Sequence, residues 1–128
     1  VVAAAAAFLL LGAAGRRALR SRLDVVPMLQ AMVLRVEEEG RTRTVRAPAP
    51  IVIGRAATAT LLVTDPQVSR LHARIDFADG TPTIRDLDSR NGTLVNARPI
   101  DAPVDLEDGD EIDIGTIRIT FCGVGPWK

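Results

Sequence analysis

The stretch Asp110–Phe121, DEIDIGTIRITF, decides the fold. Ile112 and Ile114 alternate with carboxylates, Gly115-Thr116 interrupts, and Ile117, Ile119 and Phe121 resume the alternation. A side-chain period of two buries one face of a strand and leaves the other in water, and a two-residue connection opened by glycine folds one strand back on the next. The stretch predicts an antiparallel hairpin with an isoleucine face. Upstream the same period recurs. MVLRVEEEG sets Met32, Leu34 and Val36 against Val33, Arg35 and Glu37, and ends in a glycine turn before RTRTVRA, a second hairpin. Ile51 and Ile53 in IVIGR, Ala73, Ile75 and Phe77 in HARIDF, and Ile84 in TIRDL lie in further short runs bounded by Gly, Pro, Asp or Asn. Helical periodicity is absent beyond about residue 30. Many short strands with tight turns point to an all-β sandwich or barrel rather than a parallel sheet.

The chain has 128 residues, room for one domain and one appended segment. Its formal net charge is zero, so no global field draws it to nucleic acid, and arginines count only where they cluster. Cys122 is the only cysteine and His72 the only histidine. The chain can form no internal disulfide and no four-ligand zinc site of its own, and the lone cysteine suits a reducing compartment. Cys122 is expected as a small buried hydrophobe on the last strand. The carboxylates of DAPVDLEDGDEID lack the alternating ligands and closing Glu of a calcium loop, and GVG at 123–125 lacks the helix of a phosphate loop. Ser69 and His72 are an odd number of positions apart, so on an extended strand they face opposite ways and make no nucleophile and base couple. No enzyme, metal or cofactor is expected.

The first residues differ from all that follow. Val1–Gly15 carries no charged or polar side chain, and Arg16, Arg17, Arg20 and Arg22 come directly after it. Fifteen residues of helix span roughly 22 Å, short of the ~30 Å hydrocarbon core. A secretory signal would put its charge before the apolar run. Residues 1–20 are therefore expected as a truncated transmembrane or apolar helix with a basic flank. By the positive-inside tendency, the rest of the chain lies on the cytoplasmic side of a bacterial inner membrane, held by a single pass. The other reading of the segment is an Ala-rich helix packed on the domain or on a partner. Residues 21–30, with Pro27, form a linker, 31–122 the sandwich, and 123–128 a tail in which Trp127 covers a sheet edge or merely ends the chain.

Gly54-Arg55, Ser69–Ala73 (SRLHA) and Asp86–Asn96 (DLDSRNGTLVN), in that order and spacing, resemble the forkhead-associated (FHA) domain over roughly residues 32–121. The resemblance implies an antiparallel β-sandwich of about eleven short strands with its binding loops at one end. It also implies a phosphothreonine-peptide reader whose partners are proteins modified by a Ser/Thr kinase. On this resemblance Arg55 approaches the phosphate with its guanidinium fork, Ser69 binds the phosphate through its hydroxyl, and Arg70 adds positive charge. His72, with Gly54 before Arg55, supports the site structurally. Asn91 contacts the peptide main chain, Gly92 shapes its loop and Thr93 braces it. Arg90 stands where many relatives carry threonine, losing a hydroxyl and adding a charge. Asn96 resembles a further asparagine near the peptide, followed by Ala97 where relatives often carry glycine; a left-handed backbone there costs an alanine. The alternative from another class is an FHA-fold structural component of a membrane assembly that reads no phosphate.

Overall fold

The computed structural model describes residues 30–126. The apolar helix expected at 1–20, the linker as far as residue 29, and Trp127 lie outside the described residues. Among the described residues the chain forms eleven strands and no helix. These are β1 (Gln30–Glu38), β2 (Arg41–Ala47), β3 (Ile51–Gly54), β4 (Leu61–Leu62), β5 (Ala73–Ala78), β6 (Thr81–Asp86), β7 (Leu94–Val95), β8 (Arg98–Pro99), β9 (Val104–Asp105), β10 (Glu111–Ile114) and β11 (Ile117–Pro126).

They build two sheets, five strands in the order β9-β6-β5-β3-β4 and six in the order β2-β1-β11-β10-β7-β8. The inward faces are the apolar alternations. Met32, Leu34 and Val36 of β1, Ile112 and Ile114 of β10, and Ile117, Ile119 and Phe121 of β11 are buried against Ile51, Ile53, Ile75 and Ile84 of the other sheet. Fully burying each such side chain is worth about 1.5 to 3 kcal/mol, which fixes the register because a one-residue slip would expose the whole set. In the hairpin from which the fold was read, Ile112 sits opposite Ile119 and Ile114 opposite Ile117. Gly115 takes φ +58° in its turn. Glu39-Gly40, Asp79-Gly80 and Asn96-Ala97 turn the β1–β2, β5–β6 and β7–β8 hairpins with both residues at positive φ, the twist that matches paired strands.

Three features depart from the expectations. The β3–β4 pair is parallel, with Ile53 beside Leu61 and Gly54 beside Leu62, so the sandwich is not wholly antiparallel. A two-residue strand carries no periodic signal, and its pairing is set by the loop that returns the chain to β3. The last strand runs through the expected tail to Pro126; Gly123 makes this possible by taking φ +94° without a Cβ penalty. Cys122 is half-buried, because Phe121 beside it points into the core and alternation turns the thiol away. The edge where the sheets meet is tied by polar contacts. The Glu38 carboxylate accepts from the Thr64 N–H (2.9 Å) and hydroxyl (3.0 Å), and the Arg43 guanidinium donates to the Leu62 carbonyl (2.9 Å).

Candidate functional site

The site is assembled where β3 ends. A methyl group on Gly54 would overlap the carbonyl oxygen of Arg70, so only glycine lets the end of β3 lie against the 69–72 loop. That contact makes a short ladder. The Arg55 N–H donates to the Ser69 carbonyl (3.2 Å), the Ala56 N–H to that of Arg70 (3.0 Å), and the His72 N–H to that of Ile53 (2.8 Å). Arg55 is thereby fixed beside Ser69. Its Nε donates to the Val68 carbonyl, which orients the guanidinium and leaves its two terminal nitrogens for a ligand.

Ser69 is held through its hydroxyl and its N–H as well. Its Oγ accepts the Arg90 N–H (2.9 Å), so the hydroxyl keeps its own proton to donate. Its N–H donates to Nδ1 of His72 (3.0 Å), and Nε2 of the same ring lies 2.8 Å from the Gly92 carbonyl. An accepting Nδ1 and a donating Nε2–H describe the neutral imidazole. His72 is fully buried and stitches the 65–72 loop to the 87–93 loop. Neither ring nitrogen is bonded to the Ser69 hydroxyl, so the pair is not arranged as nucleophile and base.

Beneath the second loop lies Asp86. Its carboxylate accepts from the Ser89 N–H (2.9 Å), the Ser89 hydroxyl (2.6 Å) and the buried Thr93 hydroxyl (2.6 Å). Ser89 Oγ in turn accepts the Gly92 N–H (2.9 Å). Burial pushes the Asp86 carboxyl up, but these hydrogen bonds outweigh it and hold the group below the ordinary carboxylate value. Gly92 takes φ +87°, and the Asn91 side-chain amide reaches back to the Gln67 carbonyl (2.8 Å), closing the two loops on each other. The first loop has its own anchor. Asp65 accepts from the Gln67 N–H (2.9 Å) and, across to the other sheet, from the Thr116 N–H (2.7 Å) and hydroxyl. The Thr116 hydroxyl above all holds the Asp65 carboxyl below its ordinary value.

Arg55, Ser69, Arg70, Arg90 and Asn91 thus stand on three adjoining segments, supported by Gly54, His72, Gly92 and Thr93. Arg55, Arg70 and Arg90 are exposed, and none lies within 4 Å of a carboxylate among the described residues, a condition they share with Arg41, Arg46, Arg85 and Arg98. Asn96 is bonded elsewhere. Its Nδ2 donates to the Asp110 carboxylate (3.0 Å) and its Oδ1 accepts the Glu111 N–H (3.0 Å), so this asparagine pins the start of β10. The left-handed turn that Asn96 shares with Ala97 (φ +69°) carries the amide to these two partners in the unliganded chain. Asp65, Asp86 and Ser89 support the site although the sequence motifs assign them no role. Their signals were local: Asp65 two residues before Gln67 and Asp86 three before Ser89, both spacings at which an aspartate caps a turn. A hydroxyl proton, free guanidinium ends and a rigid backbone can hold an oxyanion. Among the described residues no group of three or more His, Cys, Asp or Glu could hold a metal ion.

The family model described as the FHA domain matches residues 51–115. The glycogen accumulation regulator of Mycolicibacterium smegmatis is 40% identical over 68 residues, covering 53% of this chain and 42% of that protein. A solved structure from work on phosphothreonine-dependent FHA domain interactions superposes with a TM-score of 0.63 at 33% identity, over 73% of this chain and 96% of that one. Mycobacterium tuberculosis EmbR, solved with a low-affinity phosphopeptide, gives a TM-score of 0.63 at 34% identity over 72% of this chain and 24% of that one. The chain spans less than half the length of the first curated relatives it matches. FHA domains are interaction modules. By its two-sheet sandwich, its site loops and its sequence over half its length, the chain belongs to the FHA domain family.

Proposed function

We propose that the domain binds peptides phosphorylated on threonine and so recruits proteins that a Ser/Thr kinase has modified. One observation carries the reading: the Ser69 hydroxyl, fixed by the Arg90 N–H with its own proton free, adjoins an Arg55 whose guanidinium is oriented and unpaired. A phosphothreonine offers about −1.5 to −2 charges and three acceptor oxygens. Charge-assisted hydrogen bonds contribute ~1.5 to 3 kcal/mol each, so three give roughly 4 to 9 kcal/mol before the peptide is ordered, against the ~8 that micromolar binding requires. Affinity is therefore expected near micromolar. Preference over phosphoserine takes more than one buried methyl, worth ~0.8 kcal/mol, and the restricted χ1 of threonine supplies part of it by presenting the phosphate.

The same reading holds the domain at the cytoplasmic face of a membrane. Its support is the uncharged Val1–Gly15 followed by four arginines; among the described residues no helix is long and apolar enough to cross. The test of the binding function is titration of the chain with a degenerate phosphothreonine peptide pool, with the unphosphorylated pool and Arg55→Ala as controls. Micromolar binding lost in both controls is expected. A folded chain that ignores every phosphopeptide would sink the proposal in favour of a phosphate-independent structural role.

A further inference from the structure

The loop that carries Ser69 hangs from a turn of the other sheet. Three of its groups build the site: the Gln67 carbonyl takes the Asn91 amide (2.8 Å), the Val68 carbonyl takes Arg55 Nε, and Ser69 supplies its hydroxyl. Asp65 stands at the head of this run, buried, with its carboxylate divided between two elements. Oδ1 accepts the Gln67 N–H (2.9 Å), and Oδ2 accepts both the N–H (2.7 Å) and the hydroxyl of Thr116. The Asp65 carbonyl accepts the Val68 N–H (3.0 Å), which closes the loop on itself. Thr116 follows Gly115 in the turn between β10 and β11, and the buried pair Ile114 and Ile117 fixes that turn at its base. A methyl group on Gly115 would come within 2.7 Å of Asp65 Oδ2 and 3.1 Å of the Val68 side chain, so the loop lies directly against the turn. Thr116 gives Asp65 its N–H and its one hydroxyl proton, and keeps no donor for a ligand.

We infer that Gly115 and Thr116 are positioning residues for phosphate binding: a turn of the six-stranded sheet, making no contact with the ligand, sets the affinity of the site through Asp65. The physical reason is preorganisation. A loop held in place before the peptide arrives loses little freedom on binding, whereas a released loop must be ordered at the expense of affinity. The inference rests on the phosphopeptide reading above and adds to it a control point outside the residues that meet the phosphate.

Thr116→Val keeps the shape and the N–H of the residue and removes the hydroxyl, and Thr116→Ser restores it. Phe121→Leu, in the core farther along β11, is the control for a general loss of stability. Each variant and the unsubstituted chain are titrated by isothermal calorimetry with the tightest phosphothreonine peptide from the degenerate pool, at a temperature where denaturation curves show every chain folded. The Ser69 backbone amide and the Asn91 side-chain amide are followed by NMR in the free chains. Thr116→Val should weaken binding by about tenfold and move both signals. Thr116→Ser should match the unsubstituted chain in both respects, and Phe121→Leu should keep its affinity and both signals. Unchanged affinity in Thr116→Val would overturn the inference and leave the phosphothreonine reading intact, as would an equal loss in Thr116→Ser or in Phe121→Leu. A loss with the Ser69 and Asn91 signals unmoved would overturn the route through the loop. No binding of any phosphopeptide by the folded, unsubstituted chain would remove both the inference and the reading beneath it.

Discussion

Two asparagine turns lie on either side of β7, and their side chains do opposite things. Asn91, before Gly92, sends its amide to the Gln67 carbonyl and closes one site loop on the other. Asn96, before Ala97, spends both amide atoms on Asp110 and Glu111 and fastens β10 instead. The first turn sits over a polar network in which Asp86 accepts from Ser89 and Thr93 while the His72 ring bonds the Ser69 N–H and the Gly92 carbonyl; the second sits over a strand end. A short amide beside a left-handed turn serves whichever backbone the fold brings to it. One turn closes the two loops of the candidate site on each other, the other fastens the start of a strand.

That contrast breaks first where the site loops touch the sheet. Gly54→Ala forces a methyl onto the Arg70 carbonyl, and because the obstacle is backbone it cannot swing aside. A loss of about 3 kcal/mol is expected in urea denaturation, together with loss of phosphopeptide binding. Wild-type stability in this variant would mean that the two segments are not in contact.

Asp86→Asn tests the network beneath the same loop. It removes a carboxylate that accepts three hydrogen bonds and should cost about 2 kcal/mol. It should also alter the response to acid. Asp86 and Asp65 titrate lower in the folded chain than in the unfolded one, so the unfolded state binds more protons between the two values. Their contribution is complete above the unfolded carboxylate pKa of about 3.9 and is lost as pH falls through the folded values. The acid limb of a stability-versus-pH curve should flatten in Asp86→Asn; an unchanged limb would show that the carboxylate is not engaged.

The asparagines themselves separate the two regions. Asn91→Ala should weaken phosphopeptide binding by about 1 kcal/mol or more, whereas Asn96→Ala should cost about 1 kcal/mol of folding stability and weaken binding less. Paired calorimetric and denaturation measurements on both variants check this, and the reverse pattern would dissolve the distinction. The smallest effect has the opposite sign. Ala97 occupies φ +69°, so Ala97→Gly should stabilise the chain by about 0.5 kcal/mol in the same denaturation assay, the relief of the left-handed alanine less the entropy glycine loses on folding.

Most of the sandwich was legible because isoleucines at period two have one physical use. The strands carrying Met32, Ile53, Ile75, Ile84, Ile112 and Ile119 follow from that pattern, as does the turn at Gly115. The parallel β4 was not legible, since two residues hold no period and their partner is chosen by a returning loop. Within the site, Arg55, Ser69, His72 and Asn91 stood out as unusual residues in a recognisable order. Asp65, Asp86 and Ser89 are common residues in polar loops, and only the distances separate a carboxylate capping its own turn from one that is merely solvated. The bonds of Asn96 to Asp110 and Glu111 were likewise not legible, because partners 14 and 15 residues away carry no local signal.

The most direct test of the account follows backbone amide signals of the isotopically labelled chain by NMR during titration with a phosphothreonine peptide. The account predicts saturable shifts largest at Arg55, Ser69, Arg70, Arg90 and Asn91, small shifts at Asn96, Asp110 and Glu111, and none with the unphosphorylated peptide. Shifts centred on the Asn96–Glu111 corner, or equal shifts with and without phosphate, would contradict it.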